Sequence, residues 1–371
     1  MRYKTGLFFL FGIIVMIIIV YFAGFNELIE KLKIADFKYV LAALIVQITS
    51  FFLFAIRWHI INKIANINIK SLKLVPMIII GLAINNITPS GSAGGEPVKA
   101  YILSSKTNSP FESTFATTIA DRALDTIPFL ILAIITIFTL ILFFPPNKEY
   151  IAIMVLAVIL ITTLFIVIIY TSMNKKFAEK TIVLILKVVR KFYKKNHEEL
   201  EKKIVESITG FQETMKIMLK DKNILYKALP LSFFIWFSEI FRMYLVFLAF
   251  GSSINIFVIA EIFIISTLVG MIPLFPGGLG AVELMMMGLL TFAGVPNEIS
   301  VAVTIIERGI SYWLPIFLGF LLLPYYGYSS DEIKNEYKSV DSKIIKKFTN
   351  NPELDDIFDN KSKDKTSKKD K

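Results

Sequence analysis

The 371-residue chain contains no cysteine and only two histidines, His59 and His197. The first absence excludes a disulfide scaffold, a thiolate metal site and a cysteine nucleophile. The second argues against a histidine-based metal site, since zinc sites draw on clusters of such ligands. No bound metal and no cofactor are therefore expected. Glycine-rich nucleotide loops and an activated nucleophile are also missing, so no catalytic residue is singled out and the chain is not expected to be an enzyme. Charge is scarce too: Asp, Glu, Lys and Arg make up 19% of the residues, against about 25% in soluble domains.

Apolar residues fill the space, at 55% of the chain and a mean hydropathy of +0.65. The runs Leu7 to Phe22 and Ile151 to Tyr170 carry no charge, over roughly the 20 residues that a bilayer crossing needs. Hydrocarbon offers the backbone no hydrogen bonds, so these runs must be helices that satisfy their own amides. The expected fold is an all-α, polytopic helical membrane protein. Apolar segments lie near residues 5–24, 37–61, 72–88, 123–144, 150–171, 228–250, 254–275 and 299–324. The first follows Met1-Arg2-Tyr3-Lys4 like a signal peptide, but it is longer than a usual signal core and no small-x-small cleavage site follows, so it reads as a retained span. Two shorter segments, near 95–105 and 281–294, sit after Gly/Pro-rich breaks. At 1.5 Å per residue they reach about 16–21 Å, short of a hydrocarbon layer of about 30 Å. Each reads as one arm of a re-entrant hairpin or of a broken helix.

The net charge of +10 raises nucleic acid as a partner, but most Lys and Arg lie in polar stretches flanking the spans. The bilayer and its anionic headgroups are the expected partners, and nucleic acid is not. Residues 172–227 hold fourteen Lys or Arg against seven Asp or Glu. Apolar Ile182, Ile185, Leu186 and Val189 recur there at helical spacing, which fits either an amphipathic helix on a membrane surface or a helical cytoplasmic linker. The tail from about Ser329 is a charged, low-complexity run expected to be disordered. Positive residues stay on the cytoplasmic side. The amino terminus, the 62–73 loop, residues 172–227 and the tail therefore place both termini in the cytoplasm of a cell with this protein in its plasma membrane, although Lys31, Lys33 and Lys38 in the 25–38 loop dissent. The expected organisation is a membrane half at 1–171, the basic segment at 172–227, a second half at 228–328 and the tail at 329–371. Oligomeric state is not legible.

The most informative pattern occurs twice. Pro89-Ser90-Gly91-Ser92-Ala93-Gly94-Gly95-Glu96 and Pro276-Gly277-Gly278-Leu279-Gly280-Ala281-Val282-Glu283 are both Pro-x-Gly-x4-Glu, 187 residues apart. Downstream, Pro110 precedes Asp121-Arg122 by the interval that separates Pro296 from Glu307-Arg308, here at an offset of 186. Two related halves follow. Counted under the positive-inside rule, they come out inverted, each with a Pro/Gly-broken re-entrant hairpin, as in many secondary transporters. A duplication kept only for packing is the plain alternative.

In each copy, Pro89, Gly91, Gly94 and Gly95, or Pro276, Gly277, Gly278 and Gly280, stop one helix and another begins beside the glutamate. Free amides and the dipole at such a start attract anions, and a lipid phosphate suits them. Lys99 adds a cation in the first copy, where the second has Met286. Glu96 and Glu283 need partners or shifted protonation if they lie at membrane depth, and Arg122 and Arg308 are the candidates. These five residues form the proposed headgroup pathway; static ion pairs locking the halves are the competing reading. Asp121 and Glu307 are expected to neutralise the adjacent arginines, Glu239 and Arg242 to pair along one helix, and Glu261 to be a further pathway candidate. Arg57-Trp58-His59 closes a span beside a basic loop and reads as an interfacial anchor.

Pro-Gly-Gly-Leu-Gly-x-x-Glu at 276–283 and Gly-Gly-Glu-Pro-x-Lys-x-Tyr at 94–101 give the chain its resemblance to a flippase-like family related to the transmembrane region of lysylphosphatidylglycerol synthase. The likeness covers roughly residues 5–325. In bifunctional relatives a flippase region is fused to a lysine-transferring domain, and the polar residues after the last span here are too few for one. The resemblance thus implies lipid translocation without lipid synthesis, of an anionic or modified phospholipid or a polyprenyl-phosphate. First-copy members often carry Pro-Gly-Arg-x-Gly-Glu, and this chain lacks that arginine. A membrane enzyme acting on a lipid-linked substrate and a non-transporting scaffold remain as alternatives.

Overall fold

The long apolar runs fold as helices, and the polar or Pro/Gly-rich intervals between them break the helices. In the computed structural model, which describes residues 33, 35–88, 94–143, 148–173, 197–251, 254–271 and 276–326, all regular structure is helical. The first half contains α1 (Phe37–Ile64), α2 (Ser71–Ile87), α3 (Glu96–Thr107), α4 (Phe111–Phe143) and α5 (Lys148–Met173), followed by α6 (His197–Lys220). In the second half, a π-helical turn at Ile224–Ala228 runs into α7 (Leu229–Leu248), followed by α8 (Ile256–Gly270), α9 (Ala281–Phe292) and α10 (Asn297–Arg308). A second π turn, Gly309–Trp313, leads into α11 (Leu314–Leu322). A separate unit from Leu323 onward is described only over the 3-10 turn Leu323–Tyr326. The expected first span at 5–24, Pro89, Gly91, the apolar face from Ile182 to Val189 and the tail fall outside the described residues.

Four helical stretches are long and apolar enough to cross a membrane: Phe37–Ile64, Phe111–Leu142, Ile224–Leu248 and Asn297–Tyr326. The distribution of side chains is the reverse of a soluble protein's. Phe234, Phe237 and Phe241 of α7 and Ile134, Ile135 and Phe138 of α4 are exposed, while Gln47, Arg57, Asp121, Arg242, Glu283 and Glu307 are buried. Large apolar faces turned outward need an apolar solvent, and charges turned inward need partners.

α1 and α7 pack against each other over their length. They run antiparallel, because the start of α1 meets the end of α7, where the Asp36 amide donates to the Ala249 carbonyl at 2.8 Å. Around this pair the core is aromatic and aliphatic: Phe129 lies 5.1 Å from Trp236, which meets Phe263 edge-on at 6.2 Å. α6 lies on α4, with Phe211 6.0 Å from Phe115 and the Thr214 hydroxyl donating to Ser113 at 3.2 Å.

Each half contains one helix–break–helix unit. α2 and α3 flank one break, α8 and α9 the other, and both second arms are 12 residues long, about 18 Å. The first arms cross to the opposite half: α2 packs on α11, and α8 packs on α4. The α2–α11 contact is backbone-close, because a Cβ on Gly319 would stand 2.3 Å from the Ala83 Cβ and 3.1 Å from the Ile79 carbonyl oxygen. Gly319→Ala is expected to lower the thermal midpoint of the purified protein in detergent, at a cost of about 1–3 kcal/mol for overpacking. Gly288→Ala, where a Cβ would meet nothing within 4 Å, is the matched control and should leave the midpoint unchanged.

Candidate functional site

Burying a guanidinium is tolerable only when carboxylates and other acceptors surround it. Both halves do this in the same way. In the first, Arg57 of α1 donates through Nε to Asp121 Oδ1 at 2.7 Å and through Nη1 to Asp125 Oδ1 at 2.8 Å, both on α4. In the second, Arg242 of α7 donates through Nη2 to Glu307 Oε1 of α10 at 2.7 Å and through Nη1 to Glu239 of its own helix. Each arginine is 1% exposed. Each also reaches across to the other half. Arg57 donates to the Ser232 hydroxyl of α7 at 3.0 Å, and Arg242 donates to Gln47 Oε1 of α1 at 2.6 Å. Arg242 follows Arg57 by 185 positions, and Ser232 follows Gln47 by the same 185. The α1–α7 contact is therefore reciprocal: two arginines 185 positions apart bond to two polar residues 185 positions apart.

The matched spacing in the sequence continues to the second π turn. Pro128 in α4 and Pro315 in α11 lie seven residues after Asp121 and eight after Glu307. The extra residue of the second half is taken up where α10 and α11 join through the π turn Gly309–Trp313, the usual way a helix absorbs a one-residue insertion.

The two glutamates that follow the breaks are both buried, Glu96 at 3% exposure and Glu283 at 1%, but their surroundings differ. Gly277, Gly278 and Gly280 all have positive φ, which lets the chain turn sharply into α9. Glu283 Oε2 then accepts the Gly280 amide at 2.6 Å, and Oε1 accepts Arg308 Nε at 2.7 Å. Arg308 reaches on to the Gly277 carbonyl at 3.3 Å and lies 4.2 Å over the Tyr312 ring. Tyr312 and Asn86 join the breaks: the Tyr312 hydroxyl donates to the Asn86 carbonyl at 3.0 Å, and the Asn86 side chain donates to the Tyr312 carbonyl at 3.1 Å.

In the first half, Gly95 lies against α2, where a Cβ would fall 2.0 Å from the Gly81 carbonyl oxygen. Its amide donates to Asn85 Oδ1 at 2.6 Å. Asn85 thus caps the first helix start as Glu283 caps the second. Lys99 Nζ stands 2.8 Å from Glu96 Oε2 and 3.6 Å from Asp121 Oδ2, and 5.2 Å from the centre of the Trp58 ring. The contact with Glu96 is an ion pair without hydrogen-bond geometry, and among the described residues Glu96 Oε2 accepts no hydrogen bond. Arg122 has a side chain 31% exposed, and its one ion pair among the described residues is with Asp125 Oδ2 at 3.8 Å.

Several pairings expected from the sequence come out differently. Glu283 and Arg308 do pair, but Glu96 pairs with Lys99 and not with Arg122. Asp121 and Glu307 do not neutralise their neighbours Arg122 and Arg308; they hold Arg57 and Arg242. The neighbouring arginine points elsewhere because successive residues on a helix diverge by about 100°. Arg57 and Trp58 are buried and not interfacial, and His59 lies against the Ile69 carbonyl at 2.8 Å. Glu239 and Arg242 pair as expected at a spacing of three. Glu261 sits partly buried on α8 without an ion pair to any described residue. The helix starts offered to anions are occupied by Asn85 and Glu283. Among the described residues no cluster of His, Cys, Asp and Glu has the arrangement of a metal site.

Outward apolar faces, inward charges and several spanning helices define a multi-pass helical membrane protein. The chain belongs to the family described as the lysylphosphatidylglycerol synthase TM region, which matches residues 9–319. It is similar to a UPF0104 membrane protein of Methanothermobacter thermautotrophicus, 42% identical over 90% of this chain and 98% of that one. It is also similar to UPF0104 membrane proteins of Pyrococcus horikoshii, 31% identical over 86% of this chain and 96% of the relative, and of Methanocaldococcus jannaschii, 29% identical over 86% and 94%.

Removing Arg242 would strand Glu307 without its buried cation. Arg242→Met is therefore expected to cost about 3–5 kcal/mol, the usual penalty for breaking a buried pair, read as a lowered thermal midpoint. Adding Glu239→Gln and Glu307→Gln to that variant should recover part of the loss.

Proposed function

We propose that this protein moves a lipid between membrane leaflets, carrying the headgroup past the two helix breaks without covalent chemistry. The substrate class is an anionic or modified phospholipid or a polyprenyl-phosphate lipid. The observation that carries the reading is the reciprocal α1–α7 contact. A two-fold axis that exchanges two antiparallel helices runs perpendicular to both, and so lies in the plane of any membrane they cross. That geometry supports inverted halves, with the two breaks re-entering the bilayer from opposite faces, as in transporters whose substrate sites form at a repeat interface. Buried carboxylates and cations beside broken helices suit a polar cargo, because irregular backbone at membrane depth is tolerated where it is buried in protein or lines a cavity.

Of the candidate cations Lys99, Arg122 and Arg308, Arg122 is the most open to a phosphate, and among the described residues its one ion pair is the 3.8 Å contact with Asp125. The description of the family names a lipid synthase's membrane region, which agrees with a lipid-related role. The positive-inside distribution supports a reading in which both ends face the cytoplasm, and the plasma membrane is the membrane proposed.

Two experiments test this. Full-length protein in proteoliposomes should exchange acyl-labelled anionic phospholipid between leaflets faster than empty vesicles, and Arg122→Ala should slow that exchange by tenfold or more, about 1.4 kcal/mol. Rates equal to those of empty vesicles across several anionic lipids would refute translocation. Because the chain has no cysteine, single cysteines at Ser105 and Ala293, both exposed near the ends of the short arms, report topology without background. Labelling by an impermeant maleimide from opposite faces is expected; labelling from one face would refute inversion.

A further inference from the structure

The two break glutamates occupy equivalent positions in the repeat but make different bonds. Both Glu283 oxygens are engaged: one caps the Gly280 amide and the other holds Arg308, which also grips the Gly277 carbonyl. Its carboxylate thus fixes the turn that leads into α9. In the first half the capping task belongs to Asn85, which takes the Gly95 amide. Glu96 is thereby released from structural work. It is 97% buried and accepts no hydrogen bond from any described residue. Lys99 stabilises its charge at 2.8 Å without satisfying its lone pairs. Buried carboxylates seldom stay short of donors, because each unsatisfied acceptor costs the full desolvation penalty.

We propose that Glu96, and not Glu283, is the carboxylate that contacts the translocated headgroup, and that it selects headgroups carrying a hydrogen-bond donor, a hydroxyl or an ammonium group. This rests on the translocation reading and deepens it. The two glutamates thus divide the labour: Glu283 is a structural staple, and Glu96 is the selective contact. A donor on the headgroup fills the acceptors that the described residues leave open on Glu96, while a headgroup without one leaves them desolvated. A site built to hydrogen-bond its substrate rejects analogues lacking the group far more strongly than an apolar pocket rejects a missing methylene.

The test uses full-length protein in proteoliposomes with three acyl-labelled lipids. Phosphatidylglycerol brings hydroxyls, phosphatidylethanolamine brings an ammonium group, and phosphatidylmethanol has the same phosphodiester without a donor. Wild type should move the first two at least about tenfold faster than the third. Glu96→Met leaves Lys99 with Asp121 alone and should lower the thermal midpoint, and the protein that stays folded should lose the preference. Glu96→Gln, which retains an acceptor but loses the charge, should keep the preference for phosphatidylglycerol and lose that for phosphatidylethanolamine. Glu283→Gln should lower the thermal midpoint, and whatever protein stays folded should retain the wild-type preference. If wild type moves no lipid, the translocation reading itself fails. If wild type moves all three equally, or if Glu283→Gln erases the preference while both Glu96 variants keep it, translocation stands and this assignment is overturned.

Discussion

The structure depends on two arginines buried at the contact of α1 with α7. Arg57 and Arg242 are each almost fully enclosed, and neither could remain so without the acidic residues of α4 and α10 and a polar residue from the facing helix. Such pairs contribute little net stability relative to apolar substitutes, yet a broken one is costly. Their main effect is geometric. A guanidinium that joins three helices through fixed acceptors sets the rotation and height of each helix against the others, which uniform apolar faces could not do. The broken units are then positioned on this frame, since α2 and α8 each pack across to the other half.

Much of the architecture was legible in the sequence because it rests on length and hydropathy. The 12-residue arms announced themselves as runs too short to span, and the acidic-arginine pairs at matched intervals pointed to positions that the structure fills with buried ion pairs. The partners of those pairs were not legible. Asp121 and Arg122 are adjacent in sequence, which suggests mutual neutralisation, but helical geometry sends them to different neighbours. Arg57 was missed for a different reason: a lone arginine at the end of an apolar run beside a basic loop has the pattern of an interfacial anchor. Its offset from Arg242, and that of Gln47 from Ser232, was the signal that would have found it. Asn85, Asn86, Asp125 and Tyr312 gave no such signal, since single polar residues in apolar helices show nothing of what they face.

The imperfections of the repeat are as informative as its agreements. Where the first half has Lys99 in contact with Glu96, the second has Met286, buried in the apolar core. Where the first half continues as one α-helix through Pro128, the second inserts a residue and forms a π turn that carries Tyr312. Both departures accompany a change of task for the glutamate. In the second half it binds the backbone and Arg308, and in the first it is left with a charge partner alone. Two similar sequence patterns have in this way been given two dissimilar sets of contacts.

The double link between Asn86 and Tyr312 has a mechanical consequence. One hydrogen bond is a pivot, but two bonds between the same pair of residues, one from each side chain to the other's carbonyl, resist twisting as well as separation. The end of α2 and the turn above α11 therefore behave as one lever arm. Any rocking of the molecule must find its compliance away from this junction.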